Sequence, residues 1–199
     1  MSPTSLREKQ APLKETYRQN PSSALITLTQ TGFLDSTTIT CHLSSGKTLK
    51  EAHTRIAGLH PKAGGEDPSI SGELCSGDLL LEALVACAGV TLKAVATALD
   101  IPVVDGTVTA EGDLDFRGTL GVDRETPVGF QAIRLGFVVK LESGVEVEEE
   151  RIERLGRLTE RYCVVLQSLV RKPEVRVSLT GRQEVEHGIE RSLGWSAKS

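Results

Sequence analysis

Two cysteines each lie in the middle of an apolar run, and together they could do thiol redox chemistry. Cys87 lies in LLLEALVACAGVTL (residues 79–92), and Cys163 lies in RYCVVLQSLV (residues 161–170), 76 positions further along the chain. A thiol pair can pass through a sulfenic acid to a disulfide, but a free cysteine is also a small hydrophobe that proteins often bury. The spacing alone leaves both interpretations open, a redox pair and two packing residues.

The composition favours a reducing, cytoplasmic setting for these thiols. The 199 residues suit one domain, or a compact domain with an extension, and the net charge of -4 predicts no binding to nucleic acid. The first residues are polar and charged, which predicts no secretory leader, and Glu82 and Lys93 bound the longest uncharged stretch, which predicts no membrane span. In the cytoplasm a cysteine pair is more often catalytic, redox-active or metal-binding than a structural disulfide.

The residues around Cys87 predict a long and mostly buried helix. Ser76 is a suitable N-cap, Asp78 complements the helix dipole in the first turn, and Pro102 prevents the helix from continuing beyond Leu99. Apolar residues occur on nearly every face, so we expect a central helix, or one that a second subunit buries further. The residues that share a face with Cys87 are Leu80, Ala83, Leu84 and Thr91.

Cys163 is predicted to lie on the inward face of a second helix. Apolar residues recur at helical spacing after Val147, and Pro173 ends the pattern. Cys163 follows the inward residue Ile152 by eleven positions, or about three helical turns. Cys-Val-Val is a poor helix sequence, so a break is predicted near Cys163. Two buried helices in one domain pack together, which permits the two sulfurs to meet but does not prove it.

The rest of the chain predicts strands that alternate with these helices. A polar helix with a weak pattern, interrupted by Pro12, is predicted at residues 4–19, and a loop rich in glycine, proline and serine spans residues 57–77. The β-branched or alternating runs that predict strands are residues 24–29, 36–43, 107–114, 132–141 and 174–179. This order predicts an α+β fold with antiparallel sheet.

The sequence also contains an argument against a reactive Cys87. The residue lies about three turns inside its own helix, where the dipole of that helix no longer stabilises a thiolate. Its neighbours Ala86 and Ala88 are apolar, and apolar surroundings raise the pKa of a thiol. A reactive Cys87 therefore requires a cation or a hydrogen-bond donor from another element.

Other pairings and metal sites are less well supported. Cys75 and Cys87 flank one helix at a separation of about 15 Å or more, beyond the ~7 Å Cα limit for a disulfide. A bridge between Cys75 and Cys163 stays open, and Cys41 has no assigned role. No CxxC, HxxxH or HExxH spacing occurs, so no metal site is predicted.

Several stretches resemble the OsmC/Ohr family of organic hydroperoxide reductases. CSGDLLLEALVACAGVTLKAVATAL (residues 75–99) is similar to the central helix of that family, and RLTERYCVVLQSLV followed by PEVRVSL is similar to its second cysteine helix and last strand. DFRGTLG and PVGFQAIRLGFVV resemble the intervening strands. The resemblance implies antiparallel sheets wrapped around two central helices in an intertwined homodimer. It divides the chain into an N-terminal extension that could be helical (1–20), an OsmC-like domain (21–182) and a polar C-terminal tail (183–199).

The resemblance further implies a peroxidase mechanism. A thiolate at Cys87 attacks the terminal oxygen of an organic hydroperoxide and becomes a sulfenic acid, which Cys163 resolves as a disulfide. An external dithiol, in some members a lipoylated protein, restores the thiols, so no bound cofactor and no metal are expected. The implied partners are a second copy of the chain, a small-molecule hydroperoxide and the dithiol reductant.

The chain departs from the family pattern in the residues that activate the first cysteine. The family has a glutamate where this chain has Gly77, an arginine in an early turn that is missing from QTGFLD, and usually a proline where this chain has Val164. The candidates for activation or for lining the pocket are Arg55, His60, Asp78, Glu82, Leu84 and Thr91. The alternative is a catalytically impaired OsmC-like protein that binds an apolar ligand or a partner in the same pocket.

Overall fold

The computed structural model describes residues 3–34, 41–43, 57–65, 74–185 and 189–198. The helices of these residues are α1 (Pro3–Gln19), α2 (Ser76–Ala98), α3 (Phe116–Thr119), α4 (Glu149–Tyr162) and α5 (Val164–Val170). The strands are β1 (Leu25–Leu34), β2 (Cys41–Leu43), β3 (Ala57–Gly58), β4 (Leu74–Cys75), β5 (Val103–Asp115), β6 (Phe130–Leu141), β7 (Arg176–Val185) and β8 (Ile189–Lys198). The predicted α+β class is confirmed.

The central sheet is antiparallel and has the strand order β2-β1-β5-β6. The predicted alternation along β6 is confirmed, because every second side chain packs against the core while those between are exposed. The inward residues of this strand are Ile133, Leu135, Phe137, Val139 and Leu141. β1 pairs antiparallel with β2, but QTGFLD, which the strand prediction left as a turn between residues 29 and 36, is largely strand: β1 continues to Leu34, and Gly32, Phe33 and Leu34 are the residues that pair with β2. Residues 36–40 of the predicted second strand lie outside the described residues.

Helix α2 is the core helix of the domain and packs against β1, β5 and α4. Leu81, Leu84, Val85 and Ala88 are completely buried. By length and composition alone α2 could span a membrane. However, 56% of its most apolar stretch is buried inside the protein, as in a core helix. The predicted start of α2 was one residue late, because Cys75 is the N-cap and Ser76 is already helical.

Helix α4 follows the predicted inward pattern as far as Thr159 and ends at the predicted break, but Tyr162, which falls at the same helical spacing, is 57% exposed. Leu155 and Thr159 are buried, while the opposite face is charged and exposed. Tyr162 is the last helical residue, Cys163 has extended dihedral angles (φ -70°, ψ 105°), and α5 begins immediately after it. The interruption at Cys163 is therefore confirmed.

Helix α1 packs against the loop that precedes α2. The Tyr17 hydroxyl donates to the carbonyl of Lys62 at 2.8 Å, and the Gln10 amide donates to the carbonyl of Ala63 at 3.0 Å. Tyr17 is only 1% exposed, in a second apolar cluster with residues of the loop and of α3. α1 continues through Pro12, so the predicted interruption there was wrong.

Residues 167–199 form a separate compact unit. β7 and β8 pair antiparallel in a hairpin, with Leu179 opposite Trp195. The sequence predicted the first of these strands and a polar tail after it. β8 was missed because its sequence, IERSLGWSAK, contains charges and glycine and has no continuous β-branched run. The predicted limits of the OsmC-like domain stay a prediction.

Candidate active site

The structure brings the sulfurs of Cys87 and Cys163 together. The two thiols are hydrogen-bonded to each other, one from the middle of α2 and the other from the break between α4 and α5. Cys87 is half-buried, whereas Cys163 is completely buried in the core. The more accessible thiol is therefore in direct contact with a thiol that solvent does not reach.

A contact at the far end of the two helices sets their register. The Arg151 guanidinium, in the first turn of α4, donates to the carbonyl of Leu99 at 2.6 Å and to that of Asp100 at 3.0 Å. Cys87 precedes Leu99 by twelve residues, and Cys163 follows Arg151 by twelve residues. Both cysteines therefore lie about 18 Å along their helices from this junction, which places them at the same level.

The break at Cys163 directs main-chain donors toward both sulfurs. The first N–H groups of any helix have no partner within the helix, and at the start of α5 they point to sulfur atoms. The peptide N–H groups of Val164 and Val165 donate to the sulfur of Cys87. The peptide N–H of Leu166 donates to the sulfur of Cys163, which is the residue that caps α5. The two thiols therefore satisfy donors that the broken helix would otherwise leave unpaired.

These contacts lower the pKa of Cys87. Burial of the thiol acts against ionisation, but four donors outweigh it and hold the pKa of Cys87 below that of an ordinary thiol. In order of effect, the donors are the N–H of Val165, the Cys163 thiol, the N–H of Val164 and the Thr91 hydroxyl. Thr91 shares its single proton between this sulfur and the Cys87 carbonyl, to which it donates at 2.7 Å.

The pKa of Cys163 is shifted in the opposite direction. Burial raises it most, and the hydrogen bond and the charge of Cys87 raise it further, against the opposing effect of the Leu166 and Val165 N–H groups. Cys87 is therefore the more acidic thiol of the pair, and Cys163 keeps its proton to higher pH. Because a thiolate is the nucleophilic form of cysteine, the lower pKa makes Cys87 the more nucleophilic sulfur of the pair.

The predicted objection to a reactive Cys87 is answered by this geometry. We expected a raised pKa for Cys87, because its neighbours in α2 are apolar and it lies far from the terminus of that helix. The structure instead supplies donors from another element, which was the condition for reactivity. No side-chain motif signals them, and the poor helix sequence Cys-Val-Val was the one indication in the sequence.

Two of the predicted activating residues, His60 and Asp78, lie together but away from Cys87. Asp78 is in the first turn of α2, nine residues and therefore about 13 Å along the helix from Cys87. Its charge acts on His60, whose pKa is lowered by burial against the opposing effect of Asp78. The His60 ring is stacked on Phe116 with centroids 5.1 Å apart, and its Nδ1 accepts from the N–H of Lys62 at 3.0 Å.

The other four predicted activating or pocket residues are Thr91, Arg55, Leu84 and Glu82, and they differ in their relation to Cys87. Thr91 contacts Cys87 as described, and Arg55 lies outside the described residues. Leu84 is completely buried, so it packs in the core beneath α2 and lines no open pocket in this protomer. Glu82 is half-buried and is not among the groups that shift the pKa of Cys87.

The accessible side of α2 around Cys87 is apolar, and its wall differs from the one expected. Leu80 is 38% exposed, Val90 is 42% exposed, and Ala83 and Ala94 are also exposed. We call these four residues the α2 stripe. In the described residues, no group of three or more His, Cys, Asp or Glu side chains could hold a metal ion; the absence of a metal stays a prediction.

An antiparallel sheet packed on a cysteine-bearing core helix, with a second cysteine at a helix break, defines a two-cysteine α+β protein. The profile of the OsmC-like protein family matches residues 69–178, more than half of the chain, and the chain belongs to that family. A solved structure with the same fold is an OsmC-like hydroperoxide resistance protein from Jannaschia sp. CCS1. It is 16% identical, with a TM-score of 0.53 over 85% of this chain and 99% of that chain. No curated protein matches the chain.

Proposed function

We propose that the protein is a thiol peroxidase that reduces organic hydroperoxides to alcohols through Cys87 and Cys163. The observation that carries this proposal is the contact between an accessible thiol of lowered pKa and a buried thiol of raised pKa. Membership of the OsmC-like family supports the same class of reaction, as does the fold shared with a hydroperoxide resistance protein.

The proposed reaction has two steps on the protein and one with an external reductant. The Cys87 thiolate attacks the terminal oxygen of the hydroperoxide, the O–O bond breaks, and the departing alkoxide takes a proton and leaves as the alcohol. The sulfur of Cys163 then attacks the Cys87 sulfenic acid, a disulfide forms, and the hydroxyl group leaves as water with the Cys163 proton. An external dithiol reduces the disulfide by exchange and is itself oxidised.

The two pKa shifts suit these roles. The attacking thiol reacts as its thiolate, and the lowered pKa of Cys87 increases the fraction of thiolate at a given pH. The second thiol must remain unreacted until the sulfenic acid forms, and burial together with the raised pKa of Cys163 keeps it protonated. We infer a cytoplasmic enzyme without a bound cofactor that uses a small dithiol or a lipoylated protein as reductant.

The proposal is tested by mixing the reduced protein with cumene hydroperoxide and dihydrolipoamide in a stopped-flow instrument. We expect continuous consumption of both, and consumption of one equivalent of hydroperoxide when the dithiol is omitted. Omitting the dithiol isolates the reaction of the protein with the hydroperoxide. The direct reaction of the dithiol with the hydroperoxide is measured in parallel without protein. If the reduced protein consumes no hydroperoxide, the proposal is wrong.

A second candidate function rests on the α2 stripe. Its exposed apolar side chains could bind an apolar ligand or partner without any redox step. In that case a fluorescent apolar probe would bind to the reduced protein and would no longer bind to a variant in which Leu80 is substituted. The protein would consume no hydroperoxide.

The α2 stripe also leads us to propose a homodimer. A core helix that leaves Leu80 and Val90 exposed in one protomer gains stability when a second copy covers it. We expect sedimentation at micromolar concentration to show a stable dimer. A folded monomer under those conditions would contradict this expectation.

A further inference from the structure

The threonine one turn before Cys163 has a buried hydroxyl without a hydrogen-bond partner. Thr159 lies on the inward face of α4 and is 1% exposed, and its Oγ1 has no partner among the described residues. Three other helical threonines, Thr16, Thr91 and Thr97, each donate to the carbonyl four residues earlier, at distances between 2.7 and 3.0 Å. Burying an unpaired hydroxyl costs free energy, so this group requires an explanation that packing alone does not give.

The main chain places this hydroxyl one turn from the sulfur of Cys163. The Cys163 N–H donates to the Thr159 carbonyl at 3.0 Å, and the φ of Cys163 is -70°, which is a helical value. Its Cβ therefore continues the face of α4, because only ψ departs from the helix. Residues four apart on one helical face have Cβ atoms about 5–6 Å apart. A hydrogen bond from the hydroxyl to the sulfur spans that separation when the two side chains take rotamers that face each other.

A second threonine holds the matching position on α2. Thr91 follows Cys87 by four residues, and its hydroxyl donates to the Cys87 carbonyl. Thr159 precedes Cys163 by the same number of residues. Counted from the contact between the end of α2 and the start of α4, both threonines lie eight residues, or about 12 Å, along their helices. Each cysteine thus has a threonine one turn away on the same side, and the hydroxyl beside Cys163 is the one without a partner among the described residues.

We propose that the Thr159 hydroxyl donates a hydrogen bond to the Cys163 sulfur as that sulfur becomes a thiolate, and so promotes closure of the Cys87–Cys163 disulfide. The catalytic meaning of this inference rests on the peroxidase function proposed above. Cys163 must lose its proton to attack the oxidised sulfur of Cys87, and its complete burial opposes the negative charge. A hydrogen bond to a thiolate is charge-assisted, so a donor one turn away favours the ionised form.

The atoms of this step balance without a further reactant. The sulfur of Cys163 forms the S–S bond with Cys87, the S–O bond of the sulfenic acid breaks, and the Cys163 proton leaves with the hydroxyl group as water. Thr159 keeps its own proton throughout and contributes a hydrogen bond to the attacking sulfur. Its hydroxyl is unpaired in the reduced protein because its partner is a charge that exists only during the second step.

The test compares Thr159→Val, which keeps the shape of the side chain without the hydroxyl, with Thr159→Ser, which keeps the hydroxyl. Both are made in a protein whose Cys41 and Cys75 are replaced by serine, so that only Cys87 and Cys163 remain as thiols. The reduced protein is mixed with one equivalent of dithiobis(nitrobenzoate), and release of thionitrobenzoate is followed by absorbance. Cys87 should form a mixed disulfide in the first phase, and Cys163 should attack it and release a second thionitrobenzoate in the second phase.

In Thr159→Val we expect the second phase to be slower by about tenfold, because the Cys163 thiolate has lost its donor. In Thr159→Ser most of the rate should return. Thermal unfolding provides the structural control, since valine removes no hydrogen bond of the folded protein and should leave the unfolding midpoint unchanged or raised. Thr159→Ala also lacks the hydroxyl and decides the matter if Thr159→Val does not fold.

A second phase in Thr159→Val as fast as in the unsubstituted protein would overturn the inference, as would an unsubstituted protein that releases a single thionitrobenzoate. The assay uses no hydroperoxide, so the two proposals fail separately. A slower second phase in a protein that consumes no hydroperoxide supports the role of Thr159 and rejects the peroxidase. A peroxidase whose second phase is unchanged in Thr159→Val rejects the role of Thr159 alone.

Discussion

Replacing Cys87 with serine should abolish hydroperoxide consumption, whereas replacing Cys163 with serine should leave a single turnover. Without the Cys87 sulfur the pair has lost its thiol of lowered pKa, and the remaining thiol is buried and has a raised pKa. In Cys163→Ser the serine hydroxyl can still donate to Cys87, so the first step should proceed. The reaction then stops at the sulfenic acid, since the thiol that contacts Cys87 has been removed.

Stopped-flow kinetics and intact-protein mass measure this difference. Cys163→Ser should consume one equivalent of cumene hydroperoxide, gain the mass of one oxygen atom and react with a sulfenic-acid reagent. Cys75→Ser is the matched control, because Cys75 lies at the N-cap of α2, twelve residues from Cys87, and should turn over normally. Peptide mapping of the oxidised protein should recover a disulfide between Cys87 and Cys163 within one subunit. Recovery of Cys75–Cys163 as the main bridge would contradict the assignment.

Bulky alkyl hydroperoxides should be better substrates than hydrogen peroxide by about a hundredfold in kcat/KM. The α2 stripe surrounds Cys87 with apolar side chains, and each methylene that moves from water against them contributes at most ~0.8 kcal/mol. Three or four methylenes then supply about 2–3 kcal/mol in the transition state, whereas hydrogen peroxide can use none of it.

Leu80→Asn should reduce this selectivity, because it places an amide in the α2 stripe. Val138→Asn is the matched control, because it replaces an exposed apolar side chain with the same amide at a site away from Cys87. Val138 is 72% exposed on the outer side of the sheet. Leu84 is unsuitable for this test because a polar side chain in the closed core would unfold the protein. Equal kcat/KM for cumene hydroperoxide and hydrogen peroxide in the unmodified protein would show that the stripe does not select the substrate. Sedimentation of Leu80→Asn separates loss of selectivity from loss of the dimer.

Local patterns predicted most of the framework around the site. The apolar run of α2, the alternation along β6 and the break at Cys163 each arise from interactions between residues close in sequence, so periodicity and propensity capture them. The placement of His60 could not be predicted in the same way. A loop position says nothing about distance, and packing against Phe116 holds this histidine near the start of α2.

The features that the sequence did not predict are those that no particular residue type indicates. Helical spacing placed Leu80 and Leu84 on one face with Cys87, but which of them closes into the core depends on the sheet packed against α2. Peptide donors are present in nearly every residue, so no motif indicates the ones that reach Cys87. Their position follows from how α4 and α5 meet, which is a property of the folded chain.

The broken helix has a consequence for how this site can change during evolution. Here any amino acid other than proline at position 164 offers the same peptide donor, and its side chain points largely into solvent. Substitutions of the exposed side chains of α5 therefore leave these donors in place, and an alanine scan of this helix would not reveal their effect on the pKa of Cys87.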